Sequence, residues 1–200
     1  MADVAARLTI LFVCTGNVHR SPLAERLLAT RLPEARVGSA GTMAQPITGM
    51  HPATRSVLEE LGGSGAGFTS RRLTPELVAE ADLVLGFDRE HRETAVRLWP
   101  VALRKCFTVR EFLRLAREVG EPVLRPESAH GEAAPPREVI SRAATARGNL
   151  APVSQAADGI ADPCGAPYDV LLACGQAIDA AAATLATLLR ERGRAQGTGC

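Results

Sequence analysis

Residues 7–25 read RLTILFVCTGNVHRSPLAE, and their reading decides the fold of this 200-residue chain. Leu8 to Val13 is an apolar run broken only by Thr9, rich in branched and aromatic side chains. Such a run suits a strand buried on both faces. It stops at Cys14, and a short loop with Gly16 and Asn17 follows, two residue types that tolerate unusual backbone angles. Ser21 is a good N-cap and Pro22 suits a first helical position. Leu23, Leu27 and Leu28 then repeat at helical spacing. The spacing predicts strand, tight loop, helix.

A loop running into a helix N-terminus presents backbone N–H groups and the positive end of the helix dipole, which together attract an anion. Cys14 opens that loop and Arg20 closes it. A thiol beside a helix N-terminus and a guanidinium ionises readily. Arginine offers planar, two-pronged hydrogen bonds of the kind phosphate oxygens accept. A sulfur nucleophile inside an anion cradle is equipment for phosphoryl transfer through a cysteinyl-phosphate. Cys, five residues, Arg is a weak pattern by itself; it occurs once here. The strand before it, Gly and Asn within it, and Ser-Pro and a helix after it give it weight.

Cys14-Thr15-Gly16-Asn17-Val18-His19-Arg20-Ser21-Pro22 resembles the phosphate-binding loop of the low-molecular-weight protein tyrosine phosphatases, a family that also includes bacterial arginine phosphatases and thioredoxin-coupled arsenate reductases. The resemblance implies a four-stranded parallel sheet with helices on both faces and a metal-free, cofactor-free phosphatase. It implies that Arg20 and the amides of Thr15, Gly16, Asn17, Val18, His19 and Arg20 hold the phosphate oxygens, with Cys14 as nucleophile. Ser21 would bond the thiolate, and Asn17 would fix the loop's shape. Ser39-Ala40-Gly41-Thr42 is similar to a family strand whose Ser supports the loop, here Ser39.

Further along, Ala35 to Ala40, Asp82 to Phe87 and Arg104 to Phe107 read as strands. Ala53 to Leu61 and Val109 to Glu118 read as helices, and a long final helix carries an apolar stripe of Val170, Leu171, Cys174, Ile178, Ala181, Leu185 and Leu188. The loop at 43–52 has no aromatic, only Met43, Ile47 and Met50, although the family often places one there against the substrate ring. Ser70-Arg71-Arg72-Leu73 is similar to a family segment preceded by a His; that place is Phe68. Asp88 can cap the next helix, on which His91 reads as a solvated residue.

Asp162-Pro163 matches the family's general-acid loop. A leaving oxygen needs a proton, and hydrolysis of the thioester-like phosphate needs a base; one carboxyl near the phosphate can serve both steps. The resemblance assigns that role to Asp162, with Asp158 as a structural acid. Cys164 stands where many tyrosine-specific relatives carry Tyr; the one tyrosine is Tyr168.

Alternation of strands and helices predicts one α/β domain over 1–200, with a Pro-rich excursion at 120–152 (helical over Val139 to Arg147) and a disordered tail at 193–200. A net charge of +1 gives no case for nucleic acid or a membrane surface. No apolar stretch approaches the ~20 residues that span a bilayer, and residues 1–7 lack signal-peptide form, so a cytoplasmic protein is expected. Five cysteines without paired spacing suggest neither disulfides nor a zinc site. Cys106 and Cys174 read as core thiols. The expected function is phosphomonoester hydrolysis on phosphorylated protein, with tyrosine favoured. Protein-arginine phosphatase is an alternative, though that subgroup has Thr where Val18 stands. Arsenate reduction would need an external thiol, since no Cys lies between Cys14 and Cys106. A non-catalytic phosphoprotein-binding module is the remaining reading.

Overall fold

The computed structural model describes residues 7–120, 135–149 and 154–190. Strand β1 (Thr9–Cys14) lies between β2 (Arg36–Gly41) and β3 (Leu83–Gly86), and β4 (Cys106–Thr108) pairs with β3. All pairs are parallel, in the order β2-β1-β3-β4. The uniformly apolar β1 serves two cores. Ile10, Phe12 and Cys14 join one with Leu23, Leu27 and Phe107; Leu11 and Val13 join the other with Val78, Val84 and Ala95. Helices therefore cover both faces, as expected for an all-parallel sheet.

The helices are α1 (Arg20–Arg31), α2 (Pro52–Glu60), α3 (Pro75–Glu80), α4 (Arg89–Leu98), α5 (Val109–Gly120), α6 (Pro136–Ala146), α7 (Gln155–Asp158) and α8 (Tyr168–Leu189). Thr74 and Asp88 cap α3 and α4 through bonds from Leu77 and His91 backbone N–H. Ser21 is not a cap: α1 begins one residue earlier, and the Ser21 hydroxyl is turned to Cys14 instead. The fourth strand is shorter than expected at its start. Pro100 opens a 3-10 turn that holds Arg104 and Lys105, and Lys105 Nζ donates to the carbonyls of Ala79 and Ala81 at the end of α3.

The stripe on α8 differs from the expected one. Leu171, Gly175, Ile178, Ala182, Leu185 and Leu189 are buried, whereas Val170 is 45% exposed and Cys174 only half-buried. Small residues blur the periodicity here, since Gly175 packs against Val57 with no room for a side chain. Contrary to the expectation that no apolar stretch reaches that length, α8 is by length and composition apolar enough to cross a membrane, with a mean hydropathy of 1.5, because its alanines count as apolar. Its packed face is a core face: α1 and α8 form one of the molecule's main helix contacts. Within 120–152, α6 buries Val139, Ile140 and Ala143 and starts three residues before the expected helix, with Pro136 in its first turn. The rest of that excursion and the tail at 193–200 lie outside the described residues, except for 120 and 135–149.

Candidate active site

The site forms at the carboxyl ends of β1 and β3, where α1 and α4 begin. Ligands of open α/β sheets collect at that edge. Residues 15–19 turn the chain from β1 into α1. Asn17, wholly buried, takes φ 53°, the only positive φ at a non-glycine among the described residues. Its side chain holds that strain. Nδ2 donates to Ser21 Oγ at 2.9 Å and to Ser39 Oγ at 2.8 Å, and Oδ1 accepts from the Arg71 backbone N–H at 2.9 Å. Gly41 lets β2 pass close behind: a side chain there would meet Thr15 O at 2.6 Å and Asn17 N at 2.7 Å.

The result is a wound loop whose N–H groups point away from the protein's own acceptors. Among the described residues, none of the amides of residues 15–19 donates a backbone hydrogen bond. The carbonyls are instead tied back: Met43 N–H donates to Thr15 O, and Leu23 N–H to His19 O. A row of free donors at a helix start can receive an anion.

Cys14 sits at the base of this cradle, 3% exposed, with Sγ 2.9 Å from Ser21 Oγ. Proton bookkeeping along the chain is consistent. Asn17 donates to Ser21 and Ser39, Ser39 donates to Glu25 Oε2 at 2.5 Å, and the Ser21 hydroxyl has two acceptors in reach, Cys14 Sγ at 2.9 Å and the more distant Ala40 O at 3.4 Å. Glu25 thus takes the end of the network. Phe68, in the place of the family's His, is buried in the core with the Arg26 guanidinium 5.8 Å from its ring.

Arg20 is buried to 3% exposure and aimed at the same space. Its guanidinium donates to Asp162 Oδ2 at 2.6 Å and to Ile160 O at 3.1 Å, and lies 3.6 Å from Asp88 Oδ2. The segment bearing Asp162 is fixed on both sides. Ile160 N–H donates to Phe87 O at 2.8 Å, and buried Asp158 accepts from Arg89 at 2.8 Å and Arg114 at 3.0 Å. Asp158 is therefore the structural acid, and Asp162, 44% exposed at its side chain, is the one that faces the cradle.

Around the rim, the His19 and His51 rings meet edge-on at 5.1 Å, with His19 Nδ1 2.6 Å from Thr54 Oγ1. Burial first, then His51 and Arg20, push the His19 pKa down, with Asp162 opposing. Met43 and Ile47 are exposed by 70% and 58%, whereas Met50 is buried in the core. Tyr168 bonds Glu60 from the first position of α8, and Cys164 is exposed. Burial raises the thiols of Cys106 and Cys174 to about 11, which suits neither to a thiol relay.

One expectation is corrected. His91 is not solvated but 2% exposed, with Nε2 2.9 Å from Thr15 Oγ1. Asp88, Glu25 and Thr54 were also not read as site residues. The signal for Asp88 and His91 was their place: they follow the carboxyl end of a buried strand, the edge where such sites form.

The profile of the family described as low molecular weight phosphotyrosine protein phosphatase matches residues 9–151. That stretch includes the cradle and stops short of Asp162. A low molecular weight protein-tyrosine-phosphatase assigned in Klebsiella pneumoniae is 36% identical over 124 residues, 60% of this chain and 83% of that one. A protein-arginine-phosphatase of Geobacillus stearothermophilus is 38% identical over 105 residues, 52% of this chain and 70% of that one. Among solved structures, the YwlE arginine phosphatase from Geobacillus stearothermophilus superposes with a TM-score of 0.64 at 28% identity, covering 90% of this chain and 91% of that one. With the wound loop, the four-stranded parallel sheet and a profile match over most of its length, this chain belongs to the low molecular weight phosphotyrosine protein phosphatase family.

Proposed function

We propose that this chain is a protein-tyrosine phosphatase that works through a phosphoryl group carried on Cys14. The observation that carries the reading is Cys14 Sγ, 2.9 Å from Ser21 Oγ, at the start of a loop whose amides 15–19 find no backbone acceptor among the described residues, and which ends at Arg20, paired with Asp162. Cys14 attacks phosphorus in line, and the P–O bond to the leaving group breaks. Arg20 and the loop amides hold the three spectator oxygens, where charge gathers in the transition state. Asp162 gives its proton to the leaving oxygen. Water then attacks the phosphorus, Asp162 takes a proton from it, and the P–S bond breaks with the Ser21 hydroxyl bonding the departing sulfur. Every group required by these two steps is a side chain or amide of this chain.

Several features favour a phenolic over a guanidinium leaving group. Val18 presents methyl groups two residues before Arg20, with no hydroxyl to accept from a phosphoguanidinium N–H. The His19 and His51 rings, edge-on at 5.1 Å, place imidazole surface beside the loop that an aryl ring can contact. The reading extends to phosphorylated proteins as substrates and to a cytoplasmic setting. The arginine phosphatase is the second reading, favoured by the absence of a Phe, Tyr or Trp at 43–52 and at Cys164. The test is phosphate release from matched phosphotyrosine and phosphoarginine peptides, with Cys14→Ser as the blank. Turnover of the tyrosine peptide that vanishes in Cys14→Ser supports the proposal. Preference for the arginine peptide keeps the mechanism and overturns the specificity; no turnover of either overturns both.

A further inference from the structure

His91 is the buried, chemically capable side chain at this site that the two-step mechanism leaves without a task. It lies in the first turn of α4, brought against the loop because Gly86 lets that turn fold back over the end of β3. A side chain at Gly86 would meet Asp88 O and His91 Cβ at 3.0 Å and Arg92 N at 2.9 Å. The ring then bridges two parts of the cradle. Nε2 is 2.9 Å from Thr15 Oγ1, and Nδ1 is 3.0 Å from Asp88 Oδ1, though out of line for a good hydrogen bond. Asp88 Oδ2 in turn lies 3.6 Å from Arg20. The charges of Asp88, Arg20 and Asp162 act on the ring.

We propose that His91 is a positioning residue of the phosphate loop, accepting the Thr15 hydroxyl proton at Nε2 and so fixing the first loop residue relative to Arg20. This rests on the phosphatase reading of the site. The tautomer follows from the neighbours. A bare Nδ1 lone pair against the Asp88 carboxylate is repulsive, so the ring proton sits on Nδ1 and Nε2 is the acceptor. Thr15 is then held at two points, its hydroxyl by His91 and its carbonyl by the Met43 N–H at 2.9 Å. With the carbonyl pulled outward, the peptide from Thr15 to Gly16 is left with its N–H facing the cradle. The imidazole thereby lies between the first loop residue, which it bonds, and the Asp88 carboxylate, which stands 3.6 Å from Arg20. Donors arranged before the reaction favour the transition state over the ground state.

The test is a double-mutant cycle on the full chain, read by p-nitrophenyl phosphate turnover and by binding of vanadate, a trigonal-bipyramidal mimic, and of inorganic phosphate. His91→Leu and Thr15→Val are each expected to lower kcat/KM by about tenfold or more. The double variant should be no worse than the poorer single, because both remove one link. Vanadate should weaken by a similar factor, with phosphate within about twofold. His91→Gln, whose amide oxygen can accept from Thr15, should recover most of the loss. Full activity of His91→Leu, losses that multiply in the double variant, equal weakening of vanadate and phosphate, or a glutamine variant as poor as leucine would each overturn the assignment. If His91→Leu does not fold, Thr15→Val and His91→Gln complete the comparison. A wild type that binds vanadate without turnover sinks the phosphatase reading, and the vanadate cycle still decides this one.

Discussion

Arg20 and Asp162, 142 positions apart in sequence, meet at 2.6 Å across the mouth of the cradle. The guanidinium that would hold phosphate is thus occupied by the carboxyl that would protonate the leaving group. A phosphate in the loop would compete with Asp162 for the guanidinium, and to act as the acid Asp162 would have to leave Arg20 and carry a proton.

This relationship sets the first prediction. Asp162→Asn removes the proton donor and leaves the cradle intact. Turnover of phenyl phosphate should fall by about 10²- to 10³-fold, and that of p-nitrophenyl phosphate, whose leaving group needs less help, by far less. Phosphate binding should not weaken, since its competitor for Arg20 is gone. The check is kcat/KM against leaving-group pKa, which should steepen in the variant.

Asn17 tests how the loop is held. Its φ of 53° is strained for a side-chain-bearing residue, and three hydrogen bonds offset that strain. Asn17→Ala keeps the strain without the bonds and should cost about 2–3 kcal/mol in urea unfolding. Asn17→Gly relieves the strain and should cost less. Both should lose turnover, because Ser21 and Ser39 lose the donor that orients them.

Asp158 tests the support of the acid segment. This buried carboxylate lies between Arg89 and Arg114. Asp158→Ala should destabilise the protein by about 1–3 kcal/mol, discounted because both arginines are partly exposed. It should also lower turnover most for poor leaving groups, since the segment carrying Asp162 is loosened. Calorimetry and the same leaving-group series measure the two effects.

His91 gives a pH dependence with a definite sign. Burial, with Arg20 opposed by Asp88 and Asp162, lowers its pKa to about 4. The unfolded chain takes up the proton first, near the ordinary histidine value of about 6.5. The contribution to stability is therefore complete above that value and declines as pH falls toward the folded value, with a slope of at most about 1.4 kcal/mol per pH unit. The difference in unfolding free energy between wild type and His91→Leu, followed from pH 7.5 to 4, should shrink on acidification in the wild type's disfavour.

Much of this fold was legible because β1 is apolar at every position but one and is followed at once by Gly, Asn and Ser-Pro. Only a strand buried on both faces, turning tightly into a helix, accommodates that order. Cys14, Arg20, Ser21 and Asn17 follow from it, being neighbours in sequence. Asp162 was legible through Asp-Pro, but its distance from Arg20 was not. His91 was misread because a helix histidine between Glu and Arg has the local pattern of a solvated face, and only the close return of α4 over Gly86 buries it. The α8 stripe was legible through Leu171, Ile178 and Leu185, with Val170 outside it, while Gly175 and Ala182 fill buried positions that carry no strong hydropathy signal. Lys105 was placed in a strand because nothing local records that the end of α3 needs a donor.

The central claim is that Cys14 carries the phosphoryl group between the two steps. The most direct measurement is acid quench of the Asp162→Asn variant during turnover of p-nitrophenyl phosphate, followed by peptide mass analysis. The account predicts one added phosphoryl group on the peptide containing Cys14, absent in Cys14→Ala and chased by time. Steady turnover with no phosphoryl group on that peptide, or with the group on another residue, would contradict it.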